Sequence, residues 1–326
     1  MQFKNRVSNI LASGALATCL FAGPLTVDAA EMGAVDEPIK LAMNEWTGQH
    51  ITTKVAGEIL SRMGYKVEYV TAGYYPQMTA LQDNSITASL EIWSSNIGDL
   101  MTEAVNSGNV VSVGDLGLEI GETWHYNNAA KEACPGLPDW TALKECGKKL
   151  AVAETYPDGR LLDYPVEWGT TNVDRIAALD LPLKSVPAGS EGALVVEIKA
   201  AEEKNEPLLI MFWSPHWVTE NIELHRVDLP PYYDGCYEDA SKGINPDATY
   251  DCNWQGGHVD KVAWVGMKDK WPAAHAFLSN YQLTKPQQVP MLGAVDNRGE
   301  DLDTVVKAWV EENEAIWRPW VDEATM

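Results

Sequence analysis

Four tryptophans close or follow short apolar runs. Trp46 ends "PIKLAMNEW", Trp93 ends "TASLEIW" and Trp213 ends "PLLIMFW", while Trp168 stands in "YPVEWGTTN", a loop leading into a helix expected from about Thr171. The run before Trp213 reads as a strand buried on both faces, stopped by Pro215 in "WSPHW" because proline cannot donate to a sheet ladder. Indole faces carry negative potential and attract organic cations. A trimethylammonium head has no N–H to donate, so an aromatic box is the main chemistry that can grip it. A single tryptophan is ordinarily a packing residue, but four at strand ends shift that balance. The remaining tryptophans, Trp124 and Trp140 among them, are read as structural.

Carboxylates near these positions admit a second chemistry. Glu154 ends "AVAE", which reads as a strand, and Glu91 and Glu167 lie beside two of the tryptophans. A secreted hydrolase would stack sugars on indoles and use a carboxylate pair for acid/base work. No nucleophile elbow, HExxH or comparable motif accompanies them. The chain is therefore read as a binding protein and not an enzyme.

The elements that must position these residues follow from the hydrophobic pattern. A strand at 38–46 precedes a helix in which Ile51, Val55, Ile59 and Met63 recur at helical spacing up to Gly64. A strand at 66–72, a helix from Tyr74 and a strand at 87–93 follow. Strand–helix alternation with short connections predicts an α/β fold with a mainly parallel sheet flanked by helices. The pattern restarts near 121, with helices at 140–150, 172–181 and 192–206 and strands at 151–154 and 207–213. A further strand is expected at 262–267, a helix at 272–283, and a long C-terminal amphipathic helix broken at Pro319. The expected organisation is one lobe from 30–120 plus 227–326 and a second lobe from 121–226. Two crossings would make a hinge and a cleft, and ligands collect beyond the C-terminal ends of strands in such sheets.

Residues 1–29 read as a signal peptide, with Lys4 and Arg6 ahead of an apolar stretch at 10–23 and small residues before a cleavage point after Ala29. The remaining chain of about 297 residues is long enough for two domains. The net charge of −23 disfavours nucleic acid and anionic membranes as partners. Thirteen tryptophans against four phenylalanines suggest that indole faces are wanted for more than packing. In an oxidising compartment the four cysteines of the mature chain favour the local pairs Cys134–Cys146 and Cys236–Cys252, although three connectivities exist. Residues 232–257 read as an acidic hairpin inserted in the first lobe. Asp234, Glu238, Asp239, Asp247 and Asp251 offer oxygen ligands there, and calcium is the alternative to a solvated loop.

"LEIWSSN" (90–96), "PDGRLLDYPVEWG" (157–169) and "FWSPHWV" (212–218) resemble the periplasmic glycine betaine and related quaternary-amine binding proteins of ABC importers, of the OpuAC type. The resemblance covers about 38 to 324. It implies a two-lobe periplasmic binding protein fold and a cation–π box of Trp93, Trp168 and Trp213. It also implies that backbone N–H groups at Gly169 and Thr170 hold a ligand carboxylate. Betaine binders of this type can carry a histidine four residues after the first tryptophan, where this chain has Ile97. Trp46 instead looks like the fourth wall of trimethylamine N-oxide-binding relatives from marine bacteria, which also place an acid near the oxide, and Glu154 is the expected acid. The resemblance thus implies a monomeric periplasmic protein without cofactor. It would deliver a methylated amine to an inner-membrane ABC permease. Trimethylamine N-oxide is favoured over glycine betaine, choline and dimethylsulfoniopropionate.

Overall fold

The computed structural model describes residues 31–169 and 171–326; the expected signal peptide and Thr170 lie outside the described residues. Among the described residues nine strands form the framework: β1 Ile39–Met43, β2 Val67–Thr71, β3 Ala88–Trp93, β4 Val110–Tyr126, β5 Gly159–Asp163, β6 Leu183–Pro187, β7 Leu209–Ser214, β8 His225–Arg226 and β9 Gly257–Trp264. They are ordered β2-β1-β3-β9-β4-β7-β5-β6, with β8 beside β4. Helices cover the apolar faces. In the helix Thr47–Arg62, Ile51, Val55 and Ile59 are buried as their spacing predicts, and Gly57 lets the helix approach β2, because a Cβ there would strike the Tyr69 hydroxyl.

The parallel pairs expected from strand–helix alternation are β1–β2, β1–β3, β5–β6 and β5–β7. The middle of the sheet is antiparallel, because β4 and β9 run through it. β4 is 17 residues long and changes partner along its length: Val110 to Ile120 pair with β9, and Gly121 to Tyr126 pair with β7. It thereby joins two half-sheets. Gly114 and Gly117 adopt positive φ at its register shifts, so the strand bends where its sequence looks broken.

Three sequence expectations are corrected. Residues 151–154 are not a strand: Ala151 to Ala153 is too short an apolar run, and Glu154 lies on an exposed turn before β5. The C-terminal segment is two helices, Leu302–Glu312 and Glu314–Thr325, parting at Asn313, with Pro319 inside the second. The acidic insert forms no strand and packs on the second half, not the first. The buried Arg175 donates from Nε to Cys252 O at 2.6 Å and lies 3.6 Å from the centre of the Trp254 ring. Asn245 Nδ2 donates to Ala178 O at 2.7 Å. The chain therefore returns to the first half at β9, near 257, and not near 226.

Nor do the acids of this insert gather around a metal. Asp251 is buried and accepts from Tyr233 Oη and Asn245 N, at 2.5 and 2.7 Å. Asp239 accepts from the Ser241 backbone and side chain, while Asp234, Glu238 and Asp247 are exposed or spent on turns. Disulfides join Cys134 to Cys146 and Cys236 to Cys252. Closing a loop of this size stabilises by about 2–4 kcal/mol. Replacing Cys236 and Cys252 by alanine should lower the unfolding free energy by about that amount in a urea titration. An unchanged midpoint would mean that this disulfide contributes nothing to the stability of the fold.

Candidate functional site

The ends of β3 and β7 bring Trp93 and Trp213 to one cavity between the half-sheets. Trp46 reaches it from the N-cap of helix Thr47–Arg62, and Trp168 from a short 3-10 turn, Val166–Trp168. Tyr74, Asn96, Glu122 and Tyr164 complete the walls. The four tryptophans line this cavity and are 5–8 % exposed, so they are shielded from bulk solvent. Trp168 lies edge-to-face with Trp46 and Trp213, at 5.6 Å between ring centres in each case. Tyr164 meets Trp168 and Trp213 at 5.6 and 5.5 Å in the same manner, and Tyr74 meets Trp46 at 5.5 Å. An edge-to-face contact sets one ring's edge against the other's face, so it takes up one face of a pair and leaves others for a ligand. Trp213 has one face covered by Phe212, stacked on it at 4.4 Å.

Trp168 is held from the opposite half. Tyr75 Oη donates to Trp168 O at 2.9 Å, and Asn96 Nδ2 to the same oxygen at 3.2 Å. Gly169 allows this approach: its φ is +72°, and a Cβ would collide with the Tyr75 hydroxyl. The Gly169 N–H donates to Val166 O at 3.1 Å, so it is engaged within its own turn and not presented to a carboxylate. Thr170 lies outside the described residues.

Glu154 does not line the cavity; the acid there is Glu122. It stands on β4 directly across from Trp213, just past the change of partner, so both side chains project to the same face. Burial pushes the Glu122 carboxyl up, against hydrogen bonds from Ser95 and Tyr164 and the charge of Arg175. Tyr164 Oη is buried near Glu122 without a well-formed hydrogen bond, and burial with that neighbouring charge keeps its proton on. The cavity thus offers aromatic faces, one anionic or proton-sharing carboxyl and a phenolic donor, Tyr164, beside that carboxyl, and no cationic side chain lines it. Tyr74 and Tyr164 follow β2 and β5 just as the tryptophans follow their strands. The strand-end rule, extended to tyrosine, would have found them.

A second cluster lies across the same cleft. Glu191 Oε2 accepts from Thr47 N at 2.8 Å, and Thr47 Oγ1 donates to Asp296 Oδ1 at 2.7 Å. His216 Nδ1 accepts from Val218 N at 3.1 Å, which places its proton on Nε2, 3.1 Å from Glu191 Oε1. Glu191, His216 and Asp296 converge as metal ligands would. The Nε2 proton, however, makes this a hydrogen-bonded contact and not a lone pair offered to an ion.

Comparisons with known proteins agree with this geometry. Residues 37–312 match the family described as the substrate-binding domain of ABC-type glycine betaine transport systems, OpuAC. A trimethylamine N-oxide-binding protein of Pelagibacter ubique is 31% identical over 292 residues, covering 87% of this chain and 90% of the relative. Among solved structures, an ABC-transporter choline-binding protein in complex with choline superposes with a TM-score of 0.68 at 19% identity, covering 87% of this chain and 91% of that one. Lactococcal OpuAC, complexed with glycine betaine, gives 0.67 at 16% identity, covering 88% and 100%. These structures share the two-lobe fold. The role such a domain implies is binding and not catalysis, and among the described residues no helix is long and apolar enough to cross a membrane. The chain belongs to the OpuAC family of substrate-binding domains of ABC-type glycine betaine transport systems.

Proposed function

We propose that this protein captures trimethylamine N-oxide in the periplasm, in a cage of Trp46, Trp93, Trp168 and Trp213, and hands it to an ABC permease. The observation that carries the reading is the convergence of four indoles and one buried carboxyl, Glu122, on a single cavity without a cationic side chain. The indoles take the trimethylated nitrogen. Each desolvated contact contributes up to about 2 kcal/mol, so four give roughly 6–8 kcal/mol before ordering costs. A hydrogen bond or two to the oxide then reaches the roughly −8 kcal/mol of micromolar binding.

Glu122 favours the N-oxide over glycine betaine. Its burial raises the carboxyl's affinity for a proton, and a proton lying between Glu122 and a small oxyanion binds both. A betaine carboxylate in the same place faces a like charge and lacks the histidine that Ile97 replaces. The relative from Pelagibacter ubique supports the same choice. Glycine betaine, choline and dimethylsulfoniopropionate share the onium head and are the competing ligands.

Calorimetry with trimethylamine N-oxide and glycine betaine on wild type, Glu122→Gln and Glu122→Ala tests the assignment. Wild type should bind the N-oxide more tightly. Glu122→Ala should lose N-oxide affinity by about tenfold or more, the worth of one charge-assisted hydrogen bond, while betaine affinity changes little or rises. Glu122→Gln keeps a donor and should fall between. A wild type that prefers betaine, with Glu122→Ala indifferent to the N-oxide, would make glycine betaine the ligand.

A further inference from the structure

We propose that Glu91, which does not line the cavity, is the buried counter-charge and positioning residue of the cage, holding Trp46 and Trp93 together and giving the site its preference for cationic heads. The proposal rests on the cage reading above and adds a residue behind it. One carboxylate oxygen, Glu91 Oε1, accepts from Trp46 Nε1 at 2.7 Å and from Trp93 Nε1 at 3.1 Å. The two indoles come from different elements, a helix N-cap and a strand end, 47 positions apart in sequence. A shared acceptor fixes the angle between them in a way that packing against smooth apolar neighbours does not.

Burial raises the Glu91 carboxyl, and the hydrogen bonds from Trp46, Thr52 and Trp93 oppose that rise and favour its ionised form. Its other oxygen, Oε2, accepts from Thr52 Oγ1 at 2.8 Å and from Gln288 Nε2 at 3.4 Å. Gln288 Nε2 also donates to Gly48 O at 3.3 Å and to Thr52 Oγ1 at 3.0 Å, which orients its amide with the N–H groups toward Glu91. Two indole N–H groups and an amide N–H are donors only. Thr52 Oγ1 already accepts from Gln288, leaving its own proton for Oε2. Two indole N–H groups on Oε1 and the Thr52 hydroxyl on Oε2 are donors that stabilise a carboxylate, with the Gln288 amide at a longer 3.4 Å. Among the described residues no lysine or arginine is hydrogen-bonded to Glu91 or forms an ion pair with it. The carboxyl is 1 % exposed, so its charge is weakly screened.

An anion at the N–H edge of an indole acts on the face as well. The N–H edge is the ring's positive end. A carboxylate hydrogen-bonded there polarises the ring and deepens the negative potential over its faces, as hydrogen bonds in a chain strengthen one another. The charge also acts directly on the ligand's cationic nitrogen. Both effects favour an ammonium head over a neutral group of the same shape, while the geometric effect favours both equally. Charge and positioning are thus separable by experiment.

Two matched ligand pairs make the separation: glycine betaine with 3,3-dimethylbutanoate, and choline with 3,3-dimethylbutan-1-ol, each differing by carbon in place of the quaternary nitrogen. Calorimetry on the full mature chain should show wild type preferring the ammonium member of each pair by about tenfold or more. Glu91→Gln keeps the shape and one acceptor but not the charge. Its preference should fall by about tenfold, with affinity for the carbon members changed by less than about threefold. Glu91→Asp keeps the charge but not the reach. It should weaken all four ligands and leave the preference near that of wild type. In 15N–1H spectra the indole signals of Trp46 and Trp93 should move upfield in Glu91→Gln, with the cage-distant Trp140 signal unmoved. If Glu91→Gln does not fold, the Glu91→Asp preference and the wild-type resonances decide, since Trp46 and Trp93 should then be the most downfield indoles. An unchanged preference in folded Glu91→Gln, a lost preference in Glu91→Asp, or indole signals that ignore the change would overturn the proposal. A wild type that does not distinguish ammonium from carbon would instead overturn the cage itself.

Discussion

Replacing Trp168 and Trp213 together by alanine should abolish measurable binding of methylated amines while circular dichroism stays native. Each single change removes one cation–π wall and its share of burial, about 1–3 kcal/mol. The two rings touch, at 5.6 Å between centres, so their effects need not add. The double variant should nevertheless lose at least about 3 kcal/mol, more than a hundredfold. Trp168 is the more informative single change, because it lies on a short turn and contacts Trp46, Tyr164 and Trp213. The comparison variant should be Trp140→Ala, on a turn away from the cavity. Trp124 cannot serve that purpose. It is fully buried and donates to Asn172 Oδ1 at 2.6 Å, so its removal would cost about 3–5 kcal/mol of folding stability. A folded double variant that binds as wild type does would place the ligand outside this cavity.

The strand-end tryptophans were legible because three of them end short apolar runs bounded by polar or turn residues, and β1, β2 and β3 lie within a few residues of their expected bounds. Glu154 failed by the same rule, since the strand supposed to carry it does not form. Glu122 escaped notice for a related reason. Its strand contains Gly114 and Gly117, which read as breaks, and the residues after 120 are buried on both faces in a different half-sheet. No local pattern announces a strand that changes partner midway. Glu91 was visible only as an acid beside a tryptophan. That its neighbours in space are two indole N–H groups, a threonine and Gln288 depends on contacts spanning up to 197 positions, which spacing along the chain does not encode. The attachment of the acidic insert is non-local in the same way: it depends on Arg175, whose partners are the Cys252 carbonyl and the Trp254 face.

Glu191→Ala should weaken ligand binding by about ten- to a hundredfold although Glu191 does not line the cage. Glu191 and His216 belong to the half that carries β7, and Thr47 and Asp296 to the half that carries β1; the contact among them spans the cleft. In a fold that closes around its ligand, bonds made only on closing contribute directly to affinity. The loss of a buried charge-assisted hydrogen bond is worth about 1.5–3 kcal/mol. The pH dependence has a definite sign. Burial and then the nearby Glu191 charge raise the Asp296 carboxyl to about 6. Glu191 is also buried, but hydrogen bonds from His216 and Thr47 outweigh that and leave it below its ordinary value. Glu45 and Lys199 border the same part of the cleft. With the cleft open, Asp296 is better hydrated and further from Glu191, so its pKa lies nearer the ordinary value. The closed form then binds more protons than the open form between about 4 and 6, while Glu191 remains ionised throughout. Affinity should therefore rise by about tenfold as pH falls from 7 to 5, and level off above 7. Asp296→Asn removes the titrating group but keeps an acceptor for Thr47. It should bind at pH 7 at least as tightly as wild type does at pH 5, with a flat profile at that end of the cleft. Calorimetry at fixed ionic strength separates the outcomes. Glu122, which also titrates, is controlled by repeating the series with Glu122→Gln. If the rise toward pH 5 persists in Asp296→Asn and vanishes in Glu122→Gln, the proton belongs to the cage and this contact does not sense pH.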